Sequence, residues 1–265
     1  MSGTAVEITD CARFFEDVAA AKNRILLLDY DGTVAPFCAD RQRAFPYPAV
    51  PELLHQIMAS CRTRLVIISG RSAHAVAPLL RLDPRPETWG IHGLERLHAD
   101  GRYEGPAVTN EALAALEQAG AALQRENLGD LVEAKPGAVS IHWRGLQAAQ
   151  VLEVRTVAYR VMNPLAIEAG LLVADFDGGV EIRLRSPNKG DVVRTILSEV
   201  DSGVPVAYLG YDNTDEDAFR VLNGRGLTVL VRPKHRFTAA QIWIRPPRQL
   251  VEFLGNWIKS SRGEL

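Results

Sequence analysis

Four short apolar runs, each ended by a turn-forming cluster, constrain this chain more than any other feature. ILLLD (25–29), RLVIIS (64–69), PVAYLG (205–210) and LTVLV (227–231) are continuous in apolar residues rather than alternating. A strand buried on both faces reads this way, and such strands belong to parallel sheets covered by helices. Stretches with helical spacing lie between and around them: 10–22 behind an Asp10 cap, 48–60, 72–82, 189–200, 215–224 stopped by Gly224, and the terminal 247–261. WGIHGLERLHADGRYEG (89–105) reads as a short strand and then a hairpin turning at Asp100-Gly101. The expected fold class is α/β, with a doubly wound parallel sheet.

The pattern changes between residues 106 and 185. An Ala-rich helix is expected at 110–127, an alternating strand at AVSIHWR (138–144), a second helix at 146–162, and strands with a DGG turn over 165–185. That is α+β in character. A length of 265 residues, at about 150 per domain, allows one large or two small domains. The expected organisation is therefore a discontinuous core, 1–105 and 186–265, with 106–185 inserted in it.

Charge and composition exclude several function classes. Lys and Arg total 30 against 32 Asp and Glu, a formal net charge of −2, which gives no electrostatic footprint for nucleic acid or an anionic membrane. No apolar run approaches the 18 residues of a spanning helix, and MSGTAVEITD has no basic segment followed by an apolar one. Cys11, Cys38 and Cys61 are too few and too scattered for a disulfide framework or zinc site. A reduced, cytoplasmic protein is expected, with no nucleic acid or membrane partner.

In a doubly wound sheet, sites lie at the carboxyl ends of strands. The first run ends in Asp29, Asp31, Gly32 and Thr33. Two carboxylates two residues apart on an extended backbone point the same way; they suit a hard cation such as Mg²⁺, or the paired roles of nucleophile and general acid/base. The second ends in Ser69-Gly70-Arg71, a hydroxyl beside a helix start that suits a phosphate oxygen. Lys189 begins a helix, where a cation opposes the macrodipole and calls for an anionic ligand or carboxylate neighbours. GYDNTDEDAF (210–219) sets Asp212 and Asp215 at the same sheet edge, to hold a cation or to position Lys189.

The order Asp-x-Asp, Ser, Lys and acidic cluster resembles the haloacid dehalogenase superfamily of phosphatases, through DYDGT, SGR and NKG. GYDNTDEDAF is similar to the GDDxTDEDAF segment of trehalose-6-phosphate phosphatases, and the resemblance runs from about residue 22 to 257. It implies a Rossmann-like core and an inserted mobile cap that closes over a small-molecule sugar phosphate. It implies Asp29 as nucleophile forming an aspartyl-phosphate, Asp31 as general acid and then base, and Ser69 and Lys189 on the phosphoryl oxygens. It implies Mg²⁺ as cofactor, held between the phosphate, the Asp29 carboxylate and the Asp31 backbone carbonyl, with Asp212 and Asp215 as further candidates. Gly32, Thr33, Gly70 and Arg71 line the expected phosphate site. GIHGLE (90–95) offers His92 and Glu95 as secondary contacts; a KxxxxxxHxR-like segment and GVEIR offer Lys135, His142, Arg144 and Glu181 for the sugar. His142 and Arg144, two apart on an expected strand, share a face. Trp89 is expected to pack in the core, and RPKHR (232–236) to be a solvated loop.

One departure stands out. Tyr211 replaces the first Asp of the family segment, normally a direct metal ligand, and a phenol is a poor ligand for Mg²⁺. Reduced metal affinity is expected, with Asp212 or Asp215 as substitutes. The resemblance leaves three functions: a trehalose-6-phosphate phosphatase, a phosphatase for another phosphorylated sugar such as a glycosyl-phosphoglycerate or sucrose phosphate, and a catalytically weakened sugar-phosphate-binding regulatory homologue. A monomer or weak homodimer is expected.

Overall fold

The structure, a computed structural model, describes residues 11–38, 40–60 and 62–264. The expected Asp10 cap and Cys61 lie outside them. In chain order come α1 (Ala12–Ala20), β1 (Arg24–Leu28), α2 (Val50–Ser60), β2 (Thr63–Ile68), α3 (Ala73–Leu80), β3 (Glu87–Gly90), β4 (Glu95–Leu97) and β5 (Tyr103–Glu104). Then follow α4 (Asn110–Arg125), β6 (Val132–Lys135), β7 (Ala138–His142), α5 (Ala148–Glu168), β8 (Leu172–Phe176) and β9 (Gly179–Arg183). The last are α6 (Lys189–Ser198), β10 (Val206–Gly210), α7 (Glu216–Leu222), β11 (Leu227–Val231), β12 (Ile242–Ile244) and α8 (Arg248–Arg262). The chain forms two compact units, Met1–Tyr103 with Lys189–Leu265, and Glu104–Asn188.

The first sheet has the order β12-β11-β10-β1-β2-β3-β4-β5. Its strands from β12 to β3 pair in parallel, and β3 pairs with β4 antiparallel. Alternation along β1 explains its unbroken apolar run. Leu26 and Leu28 pack with Phe15 of α1, Leu54 of α2 and Phe253 and Trp257 of α8. Ile25 and Leu27 pack with Val192 and Ile196 of α6 and Phe219 of α7. Both faces are thus covered, and each fully buried side chain of this size contributes about 1.5–3 kcal/mol. Leu28 pairs with Leu209 on one side and Ile67 on the other, so the strand ends are level. Strand order reverses at β1, between β10 and β2, and this topological switch point places Asp29 in the crevice.

The second unit has an antiparallel sheet of order β6-β7-β9-β8. Val139, Ile141, Val180 and Ile182 pack against Leu116 and Leu123 of α4 and Ala158 and Met162 of α5. The alternate positions are polar: Glu133 pairs with Ser140, and Ser140 with Glu181, in one row across β6, β7 and β9.

Three elements differ from expectation. The helix expected to end at 162 runs on to Glu168 through Pro164. Val154, Ala158, Met162 and Ala166, four apart, continue one buried ridge, and the proline removes only one helical N–H. Strands β6 and β12 were not expected; each is short, and each completes a sheet edge. Among the described residues no helix is long and apolar enough to cross a membrane.

Candidate active site

Asp29 follows β1, buried, with its N–H on the Leu209 carbonyl at 2.9 Å. Gly32 at φ +86° lets the chain fold back directly after it. The Thr33 hydroxyl then donates to Asp29 Oδ2 at 2.9 Å, and Lys189 Nζ donates to Asp29 Oδ1 at 2.7 Å. Lys189 is 2% exposed although it starts α6, and its second acceptor is Asp215 Oδ1 at 2.7 Å. The anionic neighbours expected for it are these two carboxylates. Burial opposes its charge, but Asp215 and Asp29 together hold its pKa above the ordinary lysine range. Two buried carboxylates around one ammonium leave a negative charge uncompensated. Asp29 carries the consequence: burial, then the charge of Asp215, hold it above the usual carboxylate range against the pull of Lys189.

Asp215 is fully buried. Its Oδ1 also accepts from the Tyr208 hydroxyl at 2.6 Å, and its Oδ2 accepts from the backbone N–H groups of Tyr211 at 2.9 Å and Asp212 at 2.7 Å. Asp212 caps the following 3₁₀ turn through Asn213 N at 2.7 Å. The Tyr211 ring lies edge-on to Phe37, centroids 4.6 Å apart, and beneath the Arg232 guanidinium at 4.1 Å. Arg232 and Arg236 both donate to the Tyr211 carbonyl at 3.4 Å, and Arg236 donates to the Asp212 carbonyl at 2.8 Å. RPKHR is therefore no merely solvated loop; two of its arginines hold the 211–212 backbone.

Asp29 and Asp31 engage different partners. Asp31 is held by Arg71, which donates from Nε to Oδ2 at 2.6 Å and from Nη2 to Oδ1 at 2.7 Å. Ser69 is buried and its Oγ accepts from Arg71 N at 3.1 Å. The His92 ring packs against Gly70, and its backbone N–H donates to the Ser69 carbonyl at 2.9 Å. At the start of α3, Glu95 accepts from Ala73 N and, at 2.6 Å, from the Tyr103 hydroxyl. Gly90 permits this, since a Cβ there would collide with the Glu95 carboxylate. Glu95 is thus an internal cap. Trp89 packs beneath the Arg96 guanidinium at 4.7 Å.

In the second unit Lys135 lies 3.5 Å from both Glu133 and Glu181, Ser140 donates to Glu181 at 3.0 Å, and Arg183 lies 3.3 Å from Glu181. His142 Nε2 meets Glu133 at 3.1 Å. β7 ends at His142, and the Arg144 guanidinium bonds the Asp177 carbonyl at the β8–β9 turn.

A family model described as Trehalose-phosphatase matches residues 27–240. The chain belongs to the trehalose-phosphatase family. It is 32% identical over 258 residues to the trehalose-phosphate phosphatase of Mycobacterium tuberculosis, covering 89% of this chain and 62% of that protein. It is 30% identical to the probable trehalose-phosphate phosphatase 3 of Oryza sativa subsp. japonica, covering 93% and 73%. The chain spans about 60% of the length of its Mycobacterium marinum relative. Among solved structures, the C-terminal domain of C. albicans trehalose-6-phosphate phosphatase superposes with a TM-score of 0.83 at 20% identity, covering 97% of this chain and 99% of that one. The C-terminal domain of the Candida albicans trehalose synthase regulatory protein superposes at 0.74 and 16% identity, covering 95% and 99%. The fold is shared across both.

For this trehalose-phosphatase family member, Mg²⁺ meets an unpromising set of donors. Mg²⁺ demands near-octahedral oxygen coordination. Among the described residues no three His, Cys, Asp or Glu side chains gather to hold a metal ion. Asp29, Asp212 and Asp215 were expected to offer carboxylates and Asp31 its backbone carbonyl, but Asp212 caps its turn and Asp215 already accepts four hydrogen bonds. The residues present do not fit a carboxylate-built Mg²⁺ site. Sequence reasoning also missed Tyr208, Arg232, Arg236 and Glu133. Arg232 and Arg236 did carry a signal, since both fall just after a buried strand.

Proposed function

We propose that the chain is a sugar-phosphate phosphatase acting on trehalose 6-phosphate, with Asp29 as nucleophile. The observation that carries this is Lys189, buried between Asp29 and Asp215 at the switch point of the sheet. A phosphoryl group brought to Asp29 meets a carboxylate oxygen and a fixed ammonium together, and phosphoryl transfer depends mainly on such positioning and charge neutralisation. The ionised Asp29 carboxylate attacks phosphorus as the bond to the sugar oxygen breaks, and Asp31, entering the step protonated, gives that oxygen its proton. Water then attacks the aspartyl-phosphate while Asp31 takes its proton, which restores Asp29 and releases phosphate. To carry a proton, Asp31 must free one oxygen from Arg71; the phosphate is a competing anion for the same guanidinium. Ser69 lies beside Arg71 at this edge.

No step is assigned to Mg²⁺, the cofactor the family resemblance implies, because the donor set does not fit it. We assign sugar recognition to the polar row of the second unit, Lys135, His142 and Glu181 with Glu133, since hydroxyl-rich ligands need such partners. The regulatory reading keeps one specific support, Tyr211 packed between Phe37 and Arg232. Phosphate release from a panel of sugar phosphates, with and without Mg²⁺, tests both. Release strongest from trehalose 6-phosphate, and lost in Asp29→Asn, is expected. Binding without release at saturating Mg²⁺ overturns the enzymatic reading in favour of the regulatory one.

A further inference from the structure

Tyr208 lies within the apolar run of β10, fully buried, with its ring edge-on to Phe219 at 5.6 Å. A Phe would fill that space equally well, so the hydroxyl calls for its own explanation. It donates at 2.6 Å to Asp215 Oδ1, the oxygen that also receives Lys189 at 2.7 Å. The other Asp215 oxygen is fixed by the backbone N–H groups of Tyr211 and Asp212. The carboxylate therefore cannot turn, and its Oδ1 has two donors to share: a neutral hydroxyl and the ammonium that also serves Asp29. Burial, with the charges of Asp215 and Asp29, holds the Tyr208 phenol well above its ordinary pKa, so it stays a donor.

In a dry site an ammonium moves toward the less satisfied of two carboxylates. Asp29 Oδ1 accepts Lys189 while Oδ2 accepts Thr33. Without the phenol, Asp215 Oδ1 would depend on Lys189 alone and draw it from Asp29. We propose that Tyr208 is a positioning residue for the phosphoryl-transfer centre: its hydroxyl occupies Asp215 Oδ1 so that Lys189 stays on Asp29. This rests on the phosphatase reading above.

The test is Tyr208→Phe, which deletes one oxygen. Three measurements are made: steady-state hydrolysis of trehalose 6-phosphate, the ¹H–¹⁵N signals of the lysine ammonium groups, and the circular dichroism melt. Expected are a kcat lowered more than tenfold, a KM changed less than threefold, a shifted Lys189 ammonium signal and a retained fold. In the Asp215→Asn background, Tyr208→Phe is expected to lower kcat less than twofold, since the phenol acts through Asp215. An unchanged kcat, an equal loss in both backgrounds, or a variant that fails to fold overturns the proposal, the last by making the hydroxyl structural. If the wild type releases phosphate from no sugar phosphate, the phosphatase reading falls by itself. The ammonium signal then decides, and a Lys189 signal identical in wild type and Tyr208→Phe overturns the positioning role.

Discussion

Asp29→Asn is expected to abolish hydrolysis and, at neutral pH, to stabilise the fold. Asp29 is held above its ordinary value of 3.8 by burial first and Asp215 second, with Lys189 only partly offsetting them. A carboxyl with a raised folded pKa is bound to its proton more tightly in the folded than in the unfolded chain. Its contribution to stability is therefore complete below about pH 4 and is lost progressively as pH rises toward the folded value. Each pH unit in that window costs about 1.4 kcal/mol, so at pH 7 the wild type has lost at most about 4 kcal/mol. Asn does not titrate. Its Oδ1 can accept from Lys189, and its amide can donate to the Thr33 oxygen, which leaves Lys189 and Asp215 as a neutral pair. The folded carboxyl it replaces is itself mostly neutral at pH 7, and exchanging its hydrogen bonds for those of the amide costs about 1 kcal/mol. The net expectation is a gain of about 1–3 kcal/mol at pH 7 and none near pH 4. For a chain of this size about 2–4 °C per kcal/mol is expected in the thermal midpoint. Urea and thermal melts of both proteins from pH 4 to 8 measure it. An Asp29→Asn variant less stable than the wild type at pH 7, or a difference that stays flat with pH, would refute the raised proton affinity assigned to this aspartate.

Other substitutions separate the remaining roles. Tyr211→Asp adds a carboxylate beside Gly32 and removes the ring from Arg232, and Mg²⁺ binding by titration calorimetry should tighten at least tenfold; equal affinity in both proteins would show that position 211 does not limit the metal. Glu95→Ala strips the acceptor from the start of α3 and from Tyr103, and a loss of about 2 kcal/mol in urea unfolding is expected; a loss in sugar-phosphate affinity with stability unchanged would instead make Glu95 a ligand contact.

Much of the fold was legible because its signals are local. The continuous apolar runs predicted β1, β2, β10 and β11, and a lysine at a helix start, opposed to the dipole, signalled that carboxylates lay nearby. Their identity depends on pairing across the fold: Lys189 and Asp29 are 160 residues apart, and Asp31 and Arg71 are 40 apart. Tyr208 reads as one more apolar residue in a strand until the partner of its hydroxyl is known. GYDNTDEDAF shows the limit most clearly. In sequence its acids form one cluster at a helix start, in which Asp212 and Asp215 suggest a cation or a partner for Lys189. In the structure, burial and direction give each a separate task. Asp212 caps a turn, and Asp215 accepts four donors out of reach of solvent. Glu216 receives Arg236, the Thr238 hydroxyl and the Ala239 N–H, which ties the loop after β11 to the start of α7. Asp217 makes an exposed pair with Arg220, worth less than about 1 kcal/mol. Four neighbouring carboxylates attract a metal only when they converge, and here their hydrogen bonds turn them apart. A single carboxylate at position 211, on the edge beside Gly32, is therefore the change that bears most directly on whether this sheet edge holds a cation.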